Sequence, residues 1–225
     1  MKLLATKKLS LGLKDRLIQH EFSLVEQPFI QIQPLHFSIN FVEDHVLFTS
    51  QNAVQIAFSN PELSPLLEKK KYYCVGEKTK SLLEKNGQKV IKMTQNSAEL
   101  VHFLKKMYKN ERFSFFCGKR RRPEVEQFFS ENNIPHTLHE IYDTVLTPKQ
   151  LNTHFDGILF FSPSAVDSFF RTNSWEPQTR GFCIGATTAS FLHPYTQNYS
   201  IAKEPNETQL FLSIHNYYTH HHAQK

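Results

Sequence analysis

The 225-residue sequence contains only three cysteines, seven glycines and one tryptophan. Cys74, Cys117 and Cys183 are odd in number and widely spaced, so they fit neither a disulfide framework nor a zinc site. We expect buried, reduced thiols. No run of about 18 apolar residues occurs, which argues against a membrane-spanning helix. The N-terminal segment MKLLATKKLSLGLKD has no apolar stretch long enough for a signal peptide, and we therefore expect a cytoplasmic protein.

The sequence also lacks the usual catalytic and nucleotide-binding motifs. GxSxG, HExxH and CxxC do not occur, and the glycine spacing of the Walker A loop and of the dinucleotide fingerprint is absent. Asp and Glu are sparse in the candidate loops, so we expect no metal and no two-carboxylate site. The net charge of +5 is not gathered into one dense stripe, although a basic group, residues 119–122, directly follows Gly118.

What the sequence does contain is an internal repeat. Three segments recur in the same order after roughly 110 residues, a period that indicates duplicated architecture. LFTSQNAVQIAF returns as LFFSPSAVDSFF, CVGEKTKSLL returns as CIGATTASFL, and IKMTQNSAEL returns more faintly as IAKEPNETQL. Two matching halves suggest two lobes that face a shared cleft.

Short apolar strands alternate with helical segments in both halves, which predicts an α/β fold with two doubly wound parallel sheets. A fourth repeat unit completes one lobe at its C-terminal end, whereas its counterpart lies at the N-terminus of the chain. We therefore expect a continuous lobe, residues 35–144, inserted in a discontinuous one, residues 1–34 plus 145–225. Two extended segments would join the lobes as a hinge; one of them belongs to a single predicted strand over residues 23–33.

The repeated loops follow strands and open helices. In open parallel sheets, ligands bind beyond the carboxyl ends of the strands, where helix N-termini offer N–H groups to anions. Helix capping alone explains any single loop, but the matched set favours a polyanionic small molecule. The candidate binding residues in these loops are Thr49, Ser50, Gly76, Thr79, Gly118, Ser162, Ser164, Gly185, Thr187 and Thr188. We expect each glycine to let the backbone turn sharply at the strand end and approach a ligand without a Cβ in the way.

Tyr142, in the segment IYDTV between the lobes, is the remaining acid–base candidate. A tyrosine with a free pKa of about 10 donates a proton at neutral pH rather than accepting one. On these grounds alone, an ordinary strand tyrosine is an equally good interpretation.

Six segments together resemble the uroporphyrinogen-III synthase family over nearly the whole chain: FTSQNAV, CVGEKT, FCGKRRR, IYDTV, FFSPSAV and CIGATTA. The resemblance implies two flavodoxin-like lobes, duplicated and one inserted in the other, joined by a two-stranded β-ladder. It also implies a cofactor-free hydro-lyase of haem biosynthesis. The substrate would be hydroxymethylbilane, a linear tetrapyrrole with eight carboxylates. It loses its terminal hydroxyl as water and closes to uroporphyrinogen III, with its last ring inverted through a spiro intermediate.

The resemblance assigns roles to individual residues. It places the family's active-site tyrosine at Tyr142, as donor to the leaving hydroxyl, and substrate-binding hydroxyls at Thr79, Ser162, Ser164, Thr187 and Thr188. It offers Lys119, Arg120 and Arg121 as added carboxylate anchors. Two departures from the family pattern occur: Glu77 stands where many relatives have a small neutral residue, and Asn206-Glu207 stands where they often have Pro-Thr.

Three other functions fit part of this pattern. A hinged two-lobe protein that binds a polyanionic small molecule without catalysis would share every feature except the need for Tyr142. A scaffolding module would not need matched polar loops. A nucleic-acid binder should lose affinity steeply with salt. We expect neither nucleic acid nor a membrane as partner, and we expect a monomer with at most a transient contact with the preceding enzyme of the pathway.

Overall fold

The fold is built from short strands that alternate with helices. A computed structural model describes residues 1–107, 110–121 and 123–222, without the side chains at 107 and 220–222. Arg122 of the segment FCGKRRR lies outside the described residues. In chain order the strands are β1 Lys2–Ala5, β2 Ser23–Glu26, β3 Ile30–Pro34, β4 His45–Phe48, β5 Lys71–Val75, β6 Val90–Thr94, β7 Phe113–Gly118, β8 His136–Leu146, β9 Gly157–Phe160, β10 Arg180–Cys183 and β11 Tyr199–Ile201. The helices are α1 Leu11–Gln19, α2 Gln51–Ser59, α3 Glu77–Lys85, α4 Ser97–Met107, α5 Glu124–Glu131, α6 Pro163–Phe170, α7 Ala186–Leu192 and α8 Glu207–His222, with a 3₁₀ turn at Ser64–Leu67.

The chain forms two compact units. Unit 1 comprises Met1–Gln31 and Val145–Lys225, and unit 2 comprises Ile32–Thr144. The sheet of unit 1 has the order β11-β10-β9-β1-β2, and its strands run parallel. The second sheet has the order β3-β8-β7-β4-β5-β6 and is parallel from β8 to β6. The prediction of an α/β fold with two parallel sheets is confirmed.

The central strands are buried on both faces, as expected when helices cover a parallel sheet on both sides. In β4, Val46 and Phe48 pack into one hydrophobic cluster, whereas Leu47 packs into another. In β9, Leu159 likewise points into a different cluster from its neighbours in the strand. Continuous apolar runs therefore supply two core layers in each unit, and the polar residues are left to the loops at the strand ends.

The prediction of one strand over residues 23–33 is wrong. The chain forms β2 and β3 instead, with Gln27-Pro28-Phe29 between them. Pro28 has no N–H to give to a ladder, so continuous pairing ends there. After this break β3 pairs with β8. Leu35 N donates to Ile141 O at 3.0 Å and Thr147 N to Phe29 O at 2.9 Å, which is the pattern of antiparallel neighbours.

Two further expectations concern the cysteines and membrane-spanning helices. All three cysteines are buried and unpaired, as predicted, and burial raises the thiol pKa of each of them to about 12. In the described part of the chain, no helix combines the length and apolarity needed to cross a membrane.

Candidate active site at the strand ends

Four neighbouring strands of unit 2 bring the candidate residues to one region of the sheet. The strands β8, β7, β4 and β5 are adjacent and parallel, so the loops after them emerge at the same edge. Gly118 ends β7, Thr49 and Ser50 follow β4, and Gly76 follows β5. Tyr142 lies in β8, directly opposite Gly118.

Tyr142 and Ser50 form a hydrogen-bonded pair. The phenol of Tyr142 donates to Ser50 Oγ at 2.9 Å, and the tyrosine is 9% exposed. Burial raises the phenol pKa of Tyr142, and the hydrogen bond with Ser50 lowers it in part. The phenol therefore remains protonated at neutral pH, as a proton donor requires.

Ser50 has a second partner. It is the N-cap of α2, and its Oγ accepts the Asn52 N–H at 3.2 Å. Asn52 was not singled out from the sequence, yet its side chain also lowers the pKa of the Tyr142 phenol, against the larger effect of burial. The sequence held an indication of Asn52, because this residue lies in the first turn of the helix that follows the repeated loop.

Gly118 differs from expectation. Its predicted role was to let the backbone approach a ligand, but the position of a Cβ at Gly118 is already filled. A Cβ there would lie 2.5 Å from Cζ and 2.6 Å from Cε2 of Tyr142. The face of Gly118 that lacks a side chain is therefore covered by the tyrosine ring.

Gly76 makes the turn into α3. Its φ of 87° lies in a region that L side chains rarely adopt, and it is the N-cap of the helix. Thr79, predicted to bind substrate, is 4% exposed, so its hydroxyl offers little surface to a ligand. Glu77, one of the departures from the family pattern, is 3.5 Å from Lys80 on the same helix.

The basic group after β7 divides into two kinds of residue. Lys119 and Arg120 are exposed, and Arg120 Nε is 4.0 Å from Asp143 Oδ1. Arg121 instead donates to Glu126 from Nε and Nη2, at 3.0 and 2.7 Å, and also to Glu140. Its guanidinium is bound within unit 2, which leaves Lys119 and Arg120 as the better candidates for anchors.

Unit 1 repeats the loops with different details. Ser162 is the N-cap of α6, and its Oγ accepts the Ala165 N–H at 3.2 Å. Ser164 and Thr187 are half-buried, whereas Thr188 is 3% exposed. Gly185 caps α7 with φ −176° and ψ 170°, an extended conformation that any residue adopts. The sharp turn expected at Gly185 is therefore not what the glycine provides.

Lys7, which follows β1, was not singled out from the sequence. Its Nζ lies 3.2 Å from Glu207 Oε1 and 4.4 Å from the ring centre of Phe161. Asn206, the other residue that departs from the family pattern here, accepts the Gln209 N–H at 2.9 Å and so caps α8. The repeat offered a signal for Lys7, because its place is equivalent to that of Lys119. Lys7 follows β1, which is beside β9, and Lys119 follows β7, which is beside β4.

Comparison with known proteins supports the resemblance. The family model described as uroporphyrinogen-III synthase HemD matches residues 12–211. The fold is similar to that of uroporphyrinogen-III synthetase from Helicobacter pylori, with a TM-score of 0.72, 16% identity, and coverage of 96% of this chain and 99% of that one. It is also similar to a mutant uroporphyrinogen III synthase from the extremely thermophilic bacterium Thermus thermophilus, with a TM-score of 0.65, 13% identity, and coverage of 96% and 98%. A search of curated proteins found no match.

The match over most of the chain confirms the resemblance that the six segments carry, together with the lyase activity and the place in haem biosynthesis. The two structures, at their low identity, confirm the fold. Nothing in these comparisons supports a non-catalytic binding protein. The chain belongs to the uroporphyrinogen-III synthase family.

Proposed function

We propose that this chain closes hydroxymethylbilane to uroporphyrinogen III, with Tyr142 as the proton donor to the departing hydroxyl. The observation that carries this assignment is the buried Tyr142–Ser50 pair, with an O–O distance of 2.9 Å. Ser50 Oγ accepts both the phenol O–H and the backbone N–H of Asn52, so it fixes the phenol oxygen beside the N-terminus of α2. When substrate binds, its leaving hydroxyl takes the proton that the phenol shares with Ser50.

The step balances without a redox partner. The C–O bond of the hydroxymethyl group breaks, and its electron pair leaves with the oxygen. The pyrrole nitrogen supplies electron density to the carbon, while Tyr142 supplies the proton that makes the leaving group water. Closure through the spiro intermediate then releases one C–H proton from the substrate, and this proton restores the phenol. The products are one macrocycle and one water.

The loops supply sites for the substrate's carboxylates. Hydroxyls at Thr49, Ser162, Ser164 and Thr187 stand at or near helix N-termini, where free N–H groups and the helix dipole favour anions. Each such contact contributes about 0.3–1 kcal/mol at an exposed site. Several weak contacts therefore hold the linear tetrapyrrole in the geometry that favours the inverted ring. Lys119 and Arg120 add positive charge that attracts its carboxylates.

An isomer assay tests the function directly. Hydroxymethylbilane generated in situ closes to the type I isomer without an enzyme, so the oxidised uroporphyrins are separated by chromatography with and without this protein. We expect a shift to type III. If type I persists although the folded protein still binds a carboxylated tetrapyrrole, the function is binding rather than catalysis.

Tyr142→Phe tests the role of the phenol. We expect kcat to fall about 100-fold, the lower end for loss of a general acid, with binding retained because the loops are unchanged. Tyr218→Phe is the matched control, since Tyr218 is also buried but its hydroxyl has no hydrogen-bond partner among the described residues. Wild-type turnover in Tyr142→Phe would refute the assignment of the proton donor.

The remaining expectations stay predictions. We propose a cytoplasmic monomer whose substrate comes from the preceding enzyme through a transient contact at most. Sedimentation that shows a stable dimer would refute the monomer. The domain boundaries expected from the repeat, 35–144 within 1–34 plus 145–225, are tested by expressing residues 35–144 alone and measuring cooperative unfolding.

A further inference from the structure

We propose that Gly118 is a positioning residue for Tyr142, and that a local shift in strand register works with it to aim the phenol at Ser50. This inference rests on the proposed function, because it concerns the residue to which the proton transfer is assigned. It gives Gly118 a role different from ligand binding, and one that the sequence pattern did not indicate.

The register shift is the first observation. Along β7 and β8 the pairing runs regularly from Phe113 opposite His136 to Cys117 opposite Glu140. The next residue, Gly118, is opposite Tyr142, so the pairing skips Ile141. An extra residue in one strand re-aims the side chains that follow it, because successive side chains point to opposite faces. The backbone is held there by Lys119 N, which donates to Tyr142 O at 2.9 Å.

The contact between the ring and Gly118 is the second observation. A Cβ at Gly118 would lie 2.5 Å from Cζ, 2.6 Å from Cε2 and 3.0 Å from the hydroxyl oxygen of Tyr142. Cβ atoms in proteins essentially never lie within 3.0 Å of a heavy atom outside their own residue and its two chain neighbours. The ring reaches its present place only because Gly118 carries a hydrogen there. Any side chain at this position must displace the end of the ring that bears the hydroxyl.

The hydroxyl is the part of Tyr142 most sensitive to such a displacement. Its distance of 2.9 Å to Ser50 leaves little room for movement before the hydrogen bond is lost. A misplacement of about 1 Å in a reacting group lowers rates about 100-fold. Gly118 therefore acts on the chemistry through Tyr142, without touching the reacting atoms.

Gly118→Ala is the test, with two readouts. We expect kcat to fall about 100-fold while KM changes less than about threefold, since the binding loops are intact. In protein labelled with [13Cζ]tyrosine, the resonance that disappears in Tyr142→Phe should shift in Gly118→Ala. Gly12→Ala is the matched control, because a Cβ at Gly12 meets no atom of the described part of the chain within 4 Å. Both readouts should stay at wild-type values.

A double variant separates positioning from a general loss of structure. If Gly118 acts through the phenol, Gly118→Ala should lower kcat no further when it is added to Tyr142→Phe. If Gly118→Ala alone unfolds, Gly118→Ala with Tyr142→Ala should regain cooperative unfolding, because the ring that clashes is gone.

The outcomes distinguish this inference from the proposed function. Wild-type kcat and an unchanged Tyr142 resonance in Gly118→Ala would overturn the positioning role. If the double variant with Tyr142→Phe loses a further large factor in kcat, Gly118 acts by another route and the inference also fails. If Tyr142→Phe has wild-type turnover while the resonance still shifts in Gly118→Ala, the proton-donor assignment fails, and the placement of the ring by Gly118 stands.

Discussion

The two units share their loops but differ at one strand. In unit 2 the strand beside β7 is β8, which carries Tyr142 opposite Gly118. In unit 1 the corresponding neighbour of β1 is β2, with the sequence SLVE and no tyrosine. It ends in Glu26, whose carboxylate accepts the Leu9 N–H at 2.6 Å and pairs with Lys14 at 2.7 Å. Duplication has kept polar helix N-termini in both units, whereas the phenol and its supports occur in unit 2.

The matched glycines show the same kind of divergence. Gly76 and Gly185 occupy equivalent places before α3 and α7, and each is an N-cap without a side-chain hydrogen bond. Gly76 has φ 87°, but Gly185 is extended. Glycines at equivalent positions of the repeat therefore adopt different backbone conformations. Substituting the equivalent residue in each unit and comparing the two variants measures the consequence of that difference.

Among the paired substitutions, the largest difference in stability is expected between Gly76→Ala and Gly185→Ala. A non-glycine residue in the conformation of Gly76 costs about 1–3 kcal/mol of stability. At Gly185 a Cβ would meet Pro205 Cβ at 3.6 Å, an ordinary contact, so we expect a change within about 0.5 kcal/mol. Chemical denaturation of both variants checks this, and equal losses would remove the distinction between the two turns.

The next effect separates the two serine caps. Ser50→Ala and Ser162→Ala each remove a hydroxyl that accepts a helix N–H at 3.2 Å, and each should lose about 1 kcal/mol of stability. Ser50 also binds the phenol of Tyr142. We therefore expect a fall in kcat of about 10-fold for Ser50→Ala from the lost hydrogen bond, and a smaller one for Ser162→Ala.

Steady-state kinetics and thermal unfolding of the two serine variants decide this comparison. Equal kcat values in both variants, at equal stability, would show that the Tyr142–Ser50 hydrogen bond has no part in the reaction. A larger kcat loss for Ser162→Ala would place the chemistry nearer the loops of unit 1.

The smallest effect is expected for the exposed cations. Lys119→Ala should raise KM by up to about fivefold with kcat unchanged, because an exposed ion pair contributes about 0.2–1 kcal/mol. The effect should shrink at high salt. Lys149→Ala is a suitable control, since Lys149 is exposed and lies between β8 and β9 in unit 1, outside the repeated loops. A KM for Lys119→Ala equal to that of the control would exclude Lys119 as a carboxylate anchor.

Local patterns in the sequence were sufficient for the general architecture and for the loops in which we propose the site. Apolar runs such as those of β4 and β9 specify buried parallel strands, because a strand covered by helices on both faces has no polar side. The ordered repeat indicated two similar α/β units, and the loops at strand ends followed from it. Tyr142 became a candidate because it lies in the segment IYDTV between the predicted lobes, and the resemblance of this segment to the family then assigned its role.

The tertiary structure decided which of these candidates lie together and in what geometry. Tyr142 and Ser50 are 92 residues apart in sequence, and the shift that places Tyr142 opposite Gly118 depends on how β7 and β8 pair. The capture of Arg121 by Glu126 and Glu140, and the burial of Thr79 and Thr188, likewise arise from packing between distant segments. Side-chain alternation and helix periodicity act over a few residues, whereas strand register and ring placement are set by contacts across the whole sheet, so only the folded chain determines them.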